Sequence, residues 1–191
     1  MNVVCIDLEG VLVPEIWIAF SKESGISELA RTTRDEPDYD KLMKFRLGIL
    51  EEHGLTLADI QNTIAKIDPF EGAKEFLDEL RQLTQVIIIS DTFTQFAAPL
   101  MKKLGMPTIF CNDLVVAEDG KIVDYKMRVE NSKYTTVKAL HAMGFETIAA
   151  GDSFNDLGMI KESKAGFLFR STEQIKKDYP QYAAYETYDE L

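Results

Sequence analysis

Cysteine, histidine and tryptophan are scarce in this chain, and each shortage argues against a class of protein. The 191 residues hold two cysteines, two histidines and one tryptophan. Cys5 and Cys111 fall in apolar runs that read as buried strands, too few for a disulfide framework and without the neighbouring cation that marks a reactive thiolate. His53 and His141 have no metal-ligand spacing with each other or with cysteine, which argues against a zinc site. Cations are outnumbered, 21 Lys and Arg against 32 Asp and Glu, for a formal net charge of −11. That field repels phosphate backbones and argues against a nucleic-acid partner. A small phosphorylated substrate must instead be drawn in by a local cluster of cations. No apolar run nears the ~18 residues of a membrane span, and no basic stretch precedes the first apolar run as in a secretory leader. No membrane partner is expected, and the expected location is the cytoplasm. The chain does have a 46% apolar and 28% charged composition. That suits one globular domain with a real core and room for a small insert.

The first apolar run, Val3-Val4-Cys5-Ile6, has the composition of a strand buried on both faces. Asp7-Leu8-Glu9-Gly10 follows. Acids on alternate positions of an extended segment point to opposite sides, so Asp7 and Glu9 can meet only where Gly10 turns the backbone. Two anions that close require a divalent cation between them or a shared proton. Residues 14–68 then change character, with amphipathic helical patterns and no strand. The clearest spans 38–53, with Tyr39, Leu42, Met43, Leu47 and Leu50 on one face and Gly54 as its stop. Thr56, with Asp59 three residues on, opens a second helix through Ile60 and Ile64. An all-helical insert after the first strand suggests a cap, so the expected division is a core of 1–13 and 69–191 with a cap of 14–68.

From residue 71 helices and strands alternate. Helices are expected over 71–83, 95–104 and 133–143, and strands over 86–89, 109–111, 147–150 and 166–169. Residues 114–127, broken at Glu118-Asp119-Gly120, read as a separate β-hairpin. The acidic, aromatic tail from Tyr182 carries no assignable pattern. The alternation predicts an α/β fold, a doubly wound, Rossmann-like parallel sheet flanked by helices.

Three strands end alike: the first in Asp7 and Glu9, another in Ser90-Asp91-Thr92, a third in Gly151-Asp152-Ser153-Phe154-Asn155-Asp156. Ligands of such sheets bind beyond the carboxyl ends of the strands, so Asp7, Ser90 and Asp152 are expected to converge, with Lys133 within reach from a helix N-terminus. Asp7, Asp152 and carbonyl oxygens are hard ligands suited to Mg²⁺. Carboxylates with a metal, a hydroxyl donor and a lysine make a phosphoryl-transfer site. An aspartate can itself be the nucleophile, with Glu9 as general acid and base.

Asp7-Leu8-Glu9-Gly10-Val11, Ser90-Asp91-Thr92, Lys133 and Gly151 to Asp156 stand in the order of the haloacid dehalogenase-like phosphohydrolase motifs, which the chain resembles over nearly its whole length. The helical insert resembles the cap of the phosphoserine phosphatase branch. Glu9 in place of the usual second aspartate is similar to the bifunctional subgroup that hydrolyses phosphoserine or passes its phosphoryl group to homoserine. The resemblance implies Asp7 as nucleophile and Mg²⁺ held by Asp7, the Glu9 main-chain carbonyl and Asp152. It implies Ser90, Asp91, Lys133 and Asn155 near the substrate and Asp156 supporting the site. Glu15 and Arg46 would bind the amino-acid part of the substrate, and a homodimer is implied as well. Another small phosphorylated metabolite is the alternative substrate.

Plainer readings stand beside these. Asp7 and Asp152 could be exposed loop acids, Ser90 or Asp91 helix caps, and Arg46 a solvated partner of Glu51 and Glu52. A receiver-like signalling module also combines acids, Mg²⁺, a hydroxyl and a lysine. Its phosphoacceptor ends a middle strand, whereas here the middle strand is expected to end in Ser90, and it has no place for the helical insert.

Overall fold

The computed structural model describes residues 1–33, 35–36 and 38–191. Seven strands, β1 (Asn2–Ile6), β2 (Gln85–Phe93), β3 (Thr108–Val116), β4 (Ile122–Lys126), β5 (Glu146–Gly151), β6 (Ala165–Phe169) and β7 (Ala183–Tyr185), form one sheet in the order β4-β3-β2-β1-β5-β6-β7. All neighbours are parallel except β3 and β4. The doubly wound α/β architecture is as expected. The middle strand is not: β1, directly followed by Asp7, is fourth of seven, and β2, which carries Ser90, lies beside it. Strand position therefore does not separate this chain from a receiver, whereas the helical insert does.

β1 shows why its residues are uniformly apolar. Val4 and Ile6 enter one apolar cluster while Val3 and Cys5 enter the other, because alternate side chains leave opposite faces of the sheet. The second face is covered by α6 (Ser132–Ala142), α7 (Leu157–Glu162) and α8 (Glu173–Asp178). The first is covered by α4 (Ala73–Leu83) and α5 (Thr94–Lys103).

Between β1 and α4 lie α1 (Ile16–Ser24), α2 (Tyr39–Glu52) and α3 (Leu57–Ile64). Asp38 caps α2, and Thr56 with Asp59 forms the expected capping box of α3. Their apolar stripes, with Trp17, Phe20, Met43, Leu50, Ile60 and Ile64, merge with the first cluster. Polar links join them to the rest: Gln61 donates to the Gln95 carbonyl at 2.8 Å, Leu57 N to the Gly120 carbonyl at 2.8 Å, and Tyr125 Oη to Asp40 at 2.8 Å.

One further expectation is corrected, and the unassigned tail gains a place. The short strand and the hairpin arm that follows it are one strand, β3, which pairs with β2 through Asn112 and with β4 from Asp113 onward. The tail forms β7, an edge strand on β6. Among the described residues no helix is long and apolar enough to cross a membrane.

Behind β6, a Cβ on Gly166 would lie 2.6 Å from both the Ile160 carbonyl and its Cγ2. Gly166→Ala must push α7 off the sheet. A loss of about 1–3 kcal/mol is expected, read as a lower urea midpoint at unchanged m.

Candidate functional site

The sheet reverses its winding between β1 and β5, and the crevice beyond their ends is where a doubly wound sheet offers a binding site. Asp7 extends the β1–β5 ladder by one bond, its N–H donating to the Ala150 carbonyl at 3.1 Å. Gly10 then turns the chain with φ +81°, and a Cβ there would sit 2.5 Å from the Asp152 carboxylate. Only glycine meets both demands, so the Asp152 side chain occupies space that Gly10 leaves free. Asp156 folds back under the β5 end, its Oδ2 accepting from the N–H groups of Asp152 and Ser153 at 2.9 Å each and from Ser153 Oγ at 3.1 Å.

Lys133, the second residue of α6, is 3% exposed and pairs with Asp156 Oδ1 and, at 3.1 Å, with Asp7 Oδ1. Oxygens of Asp7, Asp152 and Asp156 lie within 4.8 Å of one another. Three carboxylates face one ammonium, so two negative charges remain if all ionise. Burial, then the neighbouring Asp156 charge, pushes Asp7 well above the usual carboxylate range against the pull of Lys133. The same causes raise Asp152 to about 7. Burial works against the Lys133 ammonium, but Asp156, Asp7 and Asp91 outweigh it and raise its pKa. Hard oxygen donors this close with two charges uncompensated fit a small divalent cation.

Ser90 and Asp91 stand where β2 slips register against β3, between Ile89 and Phe93. Such an irregularity re-aims side chains at a strand end. Neither caps α5, whose capping position is Phe93. Ser90 is buried, its Oγ accepting from Thr92 N at 3.3 Å. The Asp91 carboxylate accepts from Ser132 Oγ and Asn155 Nδ2, both at 2.9 Å, and its carbonyl from Asn112 Nδ2 at 3.1 Å and Tyr39 Oη at 3.4 Å. Asp91 thus ties β2 to the start of α6, to the loop after β5 and to α2. Asn155, expected at the substrate, is bound to Asp91.

Glu9 and Glu15 flank the approach to α1. The Glu9 carboxylate accepts the Ile16 N–H at 2.8 Å at the helix N-terminus, and burial raises its pKa above that of an ordinary glutamate despite this bond. Glu15 occupies the capping position of α1. Arg46 is buried, not solvated beside Glu51 and Glu52: its guanidinium lies 4.5 Å from the centre of the Trp17 ring and donates to the Arg31 carbonyl at 2.8 Å. Its Nε is buried with no hydrogen-bond partner among the described residues. Burial lowers the Arg46 pKa to about 10, with Tyr39, Glu9 and Glu15 acting in the opposite sense.

The structure therefore brings Asp7, Asp152, Asp156 and Lys133 into one cluster, with Asp91 and Asn155 joined beside it. Sequence reasoning missed Ser132, Asn112 and the Tyr39 hydroxyl. Asn112 carried a usable signal, a lone amide next to the apolar run 109–111.

The model of the haloacid dehalogenase-like hydrolase family matches residues 1–164. A phosphoserine phosphatase of Pseudomonas aeruginosa designated ThrH is 51% identical over 191 residues, spanning 100% of this chain and 93% of that protein. A phosphoserine phosphatase of Pseudomonas syringae is also 51% identical, over 100% of this chain and 81% of its own length. A solved phosphoserine phosphatase with bound substrate superposes with a TM-score of 0.78 at 23% identity, covering 97% of this chain and 92% of that one, a likeness of fold. With that family model matching most of its length and relatives 51% identical across all of it, the chain belongs to the haloacid dehalogenase-like hydrolase family.

Proposed function

We propose that the protein is a Mg²⁺-dependent phosphatase of O-phosphoserine that works through an aspartyl-phosphate on Asp7 and can pass the phosphoryl group to homoserine as well as to water. The observation that carries this reading is the buried Lys133 ammonium shared by Asp7 and Asp156, with Asp152 alongside. The relatives named phosphoserine phosphatase supply the substrate.

Asp7, Asp152 and the Glu9 carbonyl would hold Mg²⁺, which when bound supplies positive charge against the repulsion between carboxylate and phosphate. The Asp7 carboxylate attacks phosphorus and the seryl oxygen leaves, taking its proton from the Glu9 carboxyl, whose burial-raised pKa suits a general acid. Lys133 and the Ser90 hydroxyl hold the peripheral phosphoryl oxygens as charge spreads among them. Glu9, now a carboxylate, removes a proton from water or an acceptor hydroxyl, which attacks phosphorus and breaks its bond to Asp7. Residues 14–68 act as the cap over the core of 1–13 and 69–191. In that cap the unpartnered Arg46 Nε suits the substrate carboxylate, and Glu15 its ammonium group.

Glu9 places its carboxyl about 1.5 Å further from the backbone than aspartate would. That reach disfavours activation of water and lets an alcohol acceptor compete. Glu9→Asp should raise the ratio of hydrolysis to transfer, measured as phosphate release with and without homoserine; an unchanged ratio would refute the role given to the extra methylene.

Asp7→Asn should lower phosphoserine turnover by at least about a thousandfold while the chain stays folded, since it relieves carboxylate repulsion. Activity that survives in this variant rules out the aspartyl-phosphate.

Mg²⁺ binding should depend on pH. Without the cation Asp152 is raised to about 7 and Asp7 lies well above the usual carboxylate range, so protons compete increasingly for both carboxylates as the pH falls. Calorimetry should find affinity falling by up to about tenfold per pH unit below 7, with protons released on binding near 7. Affinity independent of pH between 6 and 8 would contradict the ligand set.

A further inference from the structure

The turn of residues 8–13, which carries the chain from Asp7 past Glu9 towards α1, is held through its carbonyls. The Leu8 carbonyl accepts from Leu12 N at 2.8 Å and Val13 N at 3.0 Å, the Val13 carbonyl from Gly10 N at 2.8 Å, and the Leu12 carbonyl from Phe70 N at 2.9 Å. The Val11 carbonyl accepts from the Tyr188 hydroxyl at 2.6 Å, a contact between residues 177 apart.

Tyr188 follows β7, and its ring is fixed on several sides. It stacks on Phe76 at 4.9 Å and on Phe169 at 5.0 Å, with the Arg170 guanidinium 5.0 Å from its centroid. Gly72 leaves room for it, since a Cβ there would come within 3.3 Å of the ring. Arg170 keeps a left-handed backbone, φ +51°, a conformation most residues avoid, and its Nε donates to the Glu186 carbonyl at 3.1 Å. The Glu190 carboxylate closes the segment by accepting the N–H groups of Glu186 and Thr187 at 3.1 and 3.2 Å. Burial pushes the Tyr188 phenol up to about 12, so it is a neutral donor across the working pH range.

We propose that Tyr188 is a positioning residue of the site: its hydroxyl fixes the Val11 carbonyl and, through it, the turn that sets Gly10 under Asp152 and the Glu9 carboxyl against α1. Val11 is two residues from Glu9 and one from Gly10, whose clearance to Asp152 leaves no slack. Small displacements of this turn move a group engaged in proton transfer, where orientation governs rate. The proposal rests on the functional reading above.

Tyr188→Phe removes the hydroxyl and keeps the ring stack. Losing one such bond should make amide exchange at Leu12 and Val13 about fivefold faster and lower kcat for phosphoserine by about fivefold or more, with KM within about twofold. The melting temperature should fall by no more than about 2–4 °C. Phe76→Leu, which thins the stack but keeps the hydroxyl, should lower the melting temperature with a smaller effect on kcat. The proposal fails if exchange at Leu12 and Val13 is unchanged in Tyr188→Phe, if exchange rises while kcat does not fall, or if Phe76→Leu lowers kcat as much. If the wild type does not turn over phosphoserine, the activity assignment fails by itself. Exchange and Mg²⁺ affinity, both altered in Tyr188→Phe if the turn is positioned by Tyr188 and unaltered if it is not, then decide the role of this residue.

Discussion

One buried ammonium organises the carboxyl end of the sheet. Lys133 meets Asp7 from β1 and Asp156 from the turn after β5, and the residue before it, Ser132, donates to Asp91 of β2. The first turn of α6 thus joins three strand ends. Any one of these charges buried alone would be strongly unfavourable, and their mutual compensation ties the position of the helix to that of the strands. Asn131, held in a left-handed conformation ahead of α6, is the backbone adjustment that brings the helix start to this point.

Glu9 joins the core chemistry to the helical insert. Its carboxylate receives the first free N–H of α1, so the group proposed to move protons also seats the helix that begins the insert. The longer glutamate side chain is therefore bound up with how α1 enters, not with proton transfer alone. Arg46 approaches from α2 over the ring of Trp17 of α1, which itself packs edge-on against Phe96 of α5.

Much of this was legible because the decisive acids terminate apolar runs. Asp7 and Asp152 stand directly after, or one glycine after, strands buried on both faces, and strand-end placement in a parallel sheet implies convergence without a contact list. Less legible was anything that depends on partners distant in sequence. Asn112 and Asp113 look like a break between two elements, yet Asn112 is fully buried within β3, where its side-chain Nδ2 donates to the Asp91 carbonyl and its Oδ1 accepts from Arg128 N. β7 has only three residues, and nothing in Ala183-Ala184-Tyr185 specifies a strand until β6 offers an edge. Strand order was beyond local pattern as well, so the centrality of β1 came from the crossovers and not from its composition. Tyr188 sits in a stretch with no periodicity, and its role exists only once β6, α4 and the Asp7 turn surround it.

The central place of β1 has a consequence for how the molecule comes into being. Its neighbours are β2, which begins at Gln85, and β5, which begins at Glu146, with Val3 opposite Gln85 on one side and Asn2 opposite Glu146 on the other. During synthesis this strand has both edges unpaired until β2 has been made, and the edge that β5 will cover stays open until residues 146–151 follow. Such non-local pairing slows folding and leaves an apolar, strand-forming segment open to other chains in the interval. The strand that leads into the proposed nucleophile is thus also a liability of the nascent chain, and its protection falls to helices made earlier than either partner strand.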